Sequence, residues 1–418
     1  MTLIAVLISL LLLPAYIFRF SVFNLPTNVF EVVAGISILI FIIERLIKFK
    51  FRLSAFKKLQ FGFWPAYIVI LSAIVGVVIA PDKTTALGIL KGWFLLPALL
   101  YFVIINTFEK KNLRLLTIPL FVSLMLVSLW AILQRLGVIS TLFYQVGDSG
   151  FVDYLNRFRA FGPFESPNYL AMFLVPAIFI TLPILEFFGK TVDRVLILVF
   201  YLFPLFALYA SHSLGGLLAF GFATVSFFAV SLVKTYRARL LNSGGKITSL
   251  AAALVISAVG FAAIFSSISS DTYSNSIRKD IYHYSFSLIK SHPFLGIGLG
   301  EFQKAVGQIS ISNLGFQTYG LSYALHPHNL FLAFWLYTGL VGFLAFPYLL
   351  GSFFWRLGRR GGDILFIAAV FSSMVAILIH GLVDSTYFKN DLSIIFWLLL
   401  AAATILGVKD RKPEQKTS

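Results

Sequence analysis

His326-Pro327-His328-Asn329 is the run in this sequence best equipped for chemistry. Two imidazoles and a carboxamide fall within four residues, and Gly339 and Gly342 follow in the pattern His-Asn, nine residues, Gly, two residues, Gly. A histidine at a helix mouth accepts a proton near neutral pH, and an adjacent Asn can orient a hydroxyl. The glycines would let a neighbouring helix pack closely. Histidines also tolerate a membrane interface without any chemistry, so the motif alone leaves both readings open. The His-x-His pair is a weaker metal candidate. No Asp/Glu cluster stands nearby to complete a site, and Asp271, Asp280 and Glu301 read as isolated solvated acids. Neither a metal nor a cofactor is expected.

The second group of candidates is cationic. Arg157 precedes the run Arg159-Ala160-Phe161-Gly162-Pro163-Phe164-Glu165-Ser166-Pro167-Asn168, whose last two residues suit a helix start. Arginine sets a planar donor fork and a delocalised charge against phosphate oxygens. Further along, Ile277, Ile281, Tyr284 and Leu288 recur at helical spacing between Ser276 and Lys290, which predicts an amphipathic helix on the membrane surface or capping a bundle. Arg278 and Lys279 open that helix, Tyr282 lies one turn from Arg278, and Gly296, Gly298 and Gly300 follow it. These cations fit a phosphate-bearing ligand, and they fit anionic lipid headgroups equally well.

Such residues need a scaffold, and composition says which kind. Of 418 residues 59% are hydrophobic and 12% charged, and mean hydropathy is +0.91, far too apolar for a soluble domain. A helix crossing a bilayer needs about 20 mostly apolar residues. Twelve such runs occur, at roughly 3–18, 28–46, 59–80, 85–108, 115–137, 167–186, 195–210, 214–232, 247–267, 329–355, 364–383 and 391–408. The expected architecture is therefore an all-α polytopic bundle of about 12 transmembrane helices, one integral membrane domain over 1–418. A long external loop at 268–328 would carry the surface helix between helices 9 and 10. Cysteine is absent, which removes thiolate chemistry.

The net charge of +16 needs no nucleic acid to explain it. The basic clusters at Arg45 to Lys58, Lys110 to Arg114, Lys190 with Arg194, Lys234 to Lys246, Arg356 to Arg360 and Lys409 to Lys416 fall on alternate loops. The positive-inside rule then places both termini in the cytoplasm. The histidine and arginine motifs, with the short break at Ser211 to Ser213, fall on the opposite, periplasmic or external face.

Taken together these motifs carry a resemblance. Arg159 to Asn168, the Ser-x-Ser-x-Gly break at 211–215, the segment from Arg278 through Ser291-His292-Pro293-Phe294-Leu295-Gly296-Ile297-Gly298-Leu299-Gly300-Glu301-Phe302, the run 326–342, and His380-Gly381-Leu382-Val383-Asp384-Ser385-Thr386-Tyr387-Phe388 are similar to those of the O-antigen ligase and O-antigen polymerase superfamily. That superfamily also includes teichuronic acid polymerases and protein O-oligosaccharyltransferases. The resemblance implies a metal-independent inverting glycosyltransferase of the bacterial inner membrane, working on its external face. Its donor would be a glycan on undecaprenyl pyrophosphate, and its acceptor another glycan, lipid A–core or a protein side chain. His328 would be the base or acceptor-orienting residue with Asn329 beside it, and Arg278 a pyrophosphate contact. His326 and Tyr282 would support them. Ligase-like members often carry Arg in the short break where this chain has His212, so His212, Arg159 or Arg157 would supply the second cation. The rival class is a 12-helix secondary transporter, which would bind its substrate near the midplane.

Overall fold

The computed structural model describes residues 1–23, 25–50, 59–139, 159–240, 272–306, 326–359 and 363–407. In chain order the elements are α1 Thr2–Leu11, a hairpin of β1 Arg19–Val22 and β2 Leu25–Asn28, α2 Val29–Lys48, α3 Trp64–Ile79, α4 Lys83–Ile89, α5 Leu96–Thr107, α6 Thr117–Arg135, α7 Pro167–Thr181, α8 Thr191–Phe200, α9 Leu202–Ser211, α10 Leu214–Leu240, α11 Thr272–Ser291, α12 Leu330–Arg359, α13 Ile364–His380 and α14 Asn390–Gly407. Among the described residues seven helical stretches are long and apolar enough to cross a membrane, and three shorter apolar helices accompany them. The run at 247–267, Arg157 and the whole 307–325 stretch lie outside the described residues.

Helix starts follow the side chains available. Asn28 accepts from the Glu31 amide to open α2, Asp82 from Thr85 to open α4, Ser166 from Tyr169 to open α7, and Asp363 from Phe366 to open α13. The antiparallel hairpin, pairing Arg19 with Asn28, departs from the all-α expectation. Pro14, which has no amide donor, opens the short 3-10 turn Leu13–Ile17 just after α1 stops at Leu11, and the chain then turns back through the hairpin, with Pro26 in β2. Inside the bundle α7 and α14 are buried almost all round, whereas α8 has no buried residue and presents its apolar surface outward. Small residues permit the closest approaches, as where Gly216 of α10 meets Ala171 of α7.

Polar contacts sort the loops into two ends. At one end Arg19 pairs with Glu165, Lys91 with Glu31, Lys304 with Asp82, and His328 with Asp384. At the other the N-terminal amine meets Glu44, Gln60 meets Asn106, Arg114 bridges Glu186 and Asp363, and Arg356 reaches the Gly62 carbonyl. The cationic and histidine motifs thus share an end.

Gly339 does something other than admit a neighbouring helix. At φ 68° it interrupts α12, and the loop after α11 uses the opening: the Leu340 amide donates to the Phe294 carbonyl at 2.9 Å and the Ile297 amide to the Leu336 carbonyl at 2.8 Å. Irregular backbone at such a place is tolerated because protein covers it. A Cβ at Gly339 would collide with the Phe294 carbonyl oxygen and face a left-handed conformation unfavourable to L residues. Gly339→Ala should therefore destabilise the protein by about 1–3 kcal/mol. Gly351→Ala in the same helix, where a Cβ meets nothing, serves as the comparison in thermal unfolding of detergent-purified protein. Equal melting temperatures for the two variants would contradict this account.

Candidate active site

His328 sits just before α12 with φ 47°, a left-handed backbone uncommon for a residue with a side chain. Three contacts hold it there. Asn329 caps the helix, its Oδ1 accepting from the Phe331 and Leu332 amides at 2.9 and 3.1 Å, while its Nδ2 donates to the Leu382 carbonyl at 2.9 Å. The Leu330 amide donates to the Gly381 carbonyl at 2.7 Å. The Tyr282 hydroxyl, arriving from α11, lies 2.9 Å from the His328 carbonyl and 3.1 Å from that of Leu382. Asn329 is thus committed to the backbone, and its amide positions the histidine.

The ring then meets a carboxylate. His328 Nδ1 is 3.0 Å from Asp384 Oδ1, with 31% of the histidine side chain exposed and 6% of the aspartate. Burial opposes ionisation of Asp384, but His328, His380 and Arg278 outweigh it and hold the carboxyl well below its usual range. A carboxylate accepting from Nδ1–H fixes the tautomer that leaves Nε2 as the acceptor of a proton. Arg278, half-buried on α11, puts its charge near Asp384 and the Tyr282 hydroxyl. That helix lies where the spacing predicts it, with Ile281, Ser285 and Ile289 forming its buried stripe.

His326 behaves differently from its neighbour. Its ring is packed among Trp93, Tyr337 and Phe388, and its Nδ1 lies 3.2 Å from the Tyr337 hydroxyl. Burial, reinforced by the positive charge of Lys389, lowers its pKa to about 3, so it stays neutral under physiological conditions.

Arg159 works on the short break between α9 and α10. Its Nε donates to the Ser211 carbonyl at 2.9 Å, and its Nη2 reaches Asn168 Oδ1 at 3.2 Å and the His212 carbonyl at 3.4 Å. Ser213 Oγ also donates to Asn168 Oδ1, at 3.0 Å. His212, at φ 47°, ends α9 with an exposed side chain. Arg159 therefore shapes the turn that displays His212. Among the described residues no three or more His, Asp or Glu side chains gather as a metal cluster.

The family model described as O-antigen ligase matches residues 197–347. That match supports membership of the O-antigen ligase and polymerase superfamily. It spans His212, Arg278, Tyr282, His326, His328 and Asn329, and ends before Asp384. Comparison with curated proteins finds no match. The matched stretch is about a third of the chain; the family it resembles is one of O-antigen ligase- or polymerase-type activity in general, and the apolar helices agree with a multi-pass membrane protein.

Two features of this site escaped the sequence reading. Asp384 lies within a segment that carries the superfamily resemblance, yet nothing local couples it to a histidine 56 positions away. The signal available was an acid in an otherwise apolar run, which needs a partner. The other feature is a charge network behind the site: Glu165 accepts from Lys389 and from Arg19 Nη2 at 2.7 Å, and Lys389 stands 4.4 Å from the centre of the Tyr169 ring. It ties the hairpin at β1 to the starts of α7 and α14.

Burial again works against the charged form of Glu165, but Lys389 and Arg19 prevail and hold its pKa at about 2, below the ordinary 4.5. A depressed carboxylate adds stability above its unfolded pKa and loses it as the pH falls toward the folded value. Stability should fall between about pH 4.5 and 2, less steeply in Glu165→Gln. Lys389→Met, which leaves the buried Glu165 carboxylate only the half-exposed Arg19 as partner, should cost about 3 kcal/mol, with much of the loss recovered in Lys389→Met/Glu165→Gln. Chemical unfolding of the purified variants reads both, and an additive double variant would refute the pairing.

Proposed function

We propose that this protein is an inverting glycosyltransferase that moves a glycan from an undecaprenyl-pyrophosphate donor to an acceptor hydroxyl on the external face of the cytoplasmic membrane. The observation that carries the reading is the His328–Asp384 pair, set beside Arg278 and at the same end of the bundle as His212. Asp384 holds the imidazole, and Nε2 takes the proton of the acceptor hydroxyl as its oxygen attacks the anomeric carbon. The bond from that carbon to the pyrophosphate oxygen breaks on the opposite side, inverting the configuration. Negative charge grows on the leaving pyrophosphate, and the Arg278 guanidinium stabilises it, with His212 as a second contact. Arg159 assists by holding the 211–213 turn, and Arg157 stands two residues away in sequence. The polyprenyl tail stays in lipid beside the bundle, which gives a sugar enzyme its reason for many spans.

No step requires a metal, so transfer should persist in excess chelator. The acceptor is a growing glycan, lipid A–core or, in the protein-directed alternative, a side-chain hydroxyl. Orientation is the first thing to test. In this cysteine-free chain, cysteine at Phe23 beside the hairpin should react with an impermeant thiol reagent on intact cells, and cysteine at Lys111 only after permeabilisation. The reverse pattern would put the site in the cytoplasm and end this reading. With orientation established, transfer from a lipid-linked pyrophosphate glycan by purified protein, with and without EDTA, tests the chemistry.

A further inference from the structure

His380 ends α13 four residues before Asp384, and both residues are nearly closed to solvent. Both ring nitrogens of His380 are buried with no hydrogen-bond partner among the described residues, and so are Asp384 Oδ2 and Ser385 Oγ. Buried polar atoms are almost always paired, so four of them within six residues of one turn mark a polar site. The turn is held by the Val383 amide donating to the His380 carbonyl at 3.0 Å and the Thr386 hydroxyl to the Ile377 carbonyl at 2.8 Å. Gly215 of α10 closes it from the side: a Cβ there would stand 2.7 Å from His380 Cδ2 and 2.9 Å from Nε2. The ring therefore has a fixed place beside the break that carries His212.

We propose that His380 is a positioning residue for the base, donating through one bound water to Asp384 Oδ2 and so setting how strongly Oδ1 holds the His328 ring. The proposal rests on the reading of His328 as the base. One carboxylate then serves two histidines, with Oδ1 on the reacting ring and Oδ2 on the buried one, and His380 neither gains nor loses a proton. Two donors on one carboxylate divide its charge. Removing the donor at Oδ2 concentrates charge on Oδ1, which favours the protonated form of the imidazole it holds.

The test is the dependence of kcat on pH for wild type, His380→Leu and His380→Gln, with His328→Ala measured beside them. The other charged and titratable groups facing this carboxylate, Arg278 and Tyr282 from α11, Tyr169 from α7 and His326 ahead of α12, are kept in every variant. His380→Leu should move the acidic limb to higher pH by about half a unit or more, and His380→Gln, which retains an N–H donor, should bring it back. A limb unmoved in folded His380→Leu would overturn the proposal, as would equal losses in both variants without any shift. If the leucine variant does not fold, His380→Met is read in its place by the same criteria. An active His328→Ala protein would instead remove the base itself, which separates failure of the functional reading from failure of this inference.

Discussion

His328→Ala is expected to lower turnover by a factor of about 10² or more at saturating donor and acceptor, the loss typical of a general base. His326→Ala should cost far less. The two histidines are two residues apart, yet one holds a carboxylate and presents a free nitrogen, while the other is neutral and packed among aromatic rings. Asp384→Asn should approach the His328→Ala loss, because a carboxamide can donate to Nδ1 and turn the ring to the wrong tautomer. Residues acting as a unit are not additive, so the double variant should be about as slow as His328→Ala alone. Turnover of folded, membrane-inserted variants on one lipid-linked donor decides it. Near wild-type activity in His328→Ala would return the motif to an interfacial role, and multiplied losses in the double variant would mean that the two side chains act separately.

The parts of this design that follow from local pattern were legible. Apolar length marked the helices, and the spacing of Ile277, Ile281, Tyr284 and Leu288 marked α11. Charge alternation divided the loops into two sets, and the polar contacts fall into the same two ends. Features that depend on distant partners were not legible. Gly339 in the pattern looks like a packing glycine, and only the loop at 293–297 reveals it as a break in α12. Asn329 reads as a hydroxyl clamp, whereas the amides of Phe331 and Leu332 give it a cap to make. Arg159 reads as a phosphate ligand, whereas the Ser211 and His212 carbonyls give it a turn to hold. In each case a polar group that looks available in sequence is engaged by backbone folded next to it, and backbone carries no side-chain signal.

Arg278→Ala is expected to raise the KM for the lipid-linked donor by roughly tenfold to a hundredfold, since hydrogen bonds to a charged group contribute about 1.5–3 kcal/mol. Its place supports that expectation: the guanidinium is half-buried on α11, one turn from Tyr282, and its charge reaches Asp384 beside the reacting histidine. Charge on a leaving pyrophosphate would develop in that neighbourhood. Arg278→Lys should restore only part of the loss, because an ammonium is a point charge and cannot match two phosphate oxygens at once. An arginine that merely attracts anionic headgroups behaves otherwise. It contributes about 1 kcal/mol, is screened by salt, and is replaceable by lysine. A donor-concentration series at two ionic strengths on Arg278→Ala and Arg278→Lys, matched to wild type in expression and thermal stability, separates the cases. Full activity in the lysine variant would assign Arg278 to the membrane surface. His212 belongs in the same series, because its exposed ring stands in the break where ligase-like members often carry arginine. If it takes that place, His212→Arg keeps the donor KM near wild type while His212→Ala raises it, and Arg159→Ala, by releasing the turn, reproduces the His212→Ala defect.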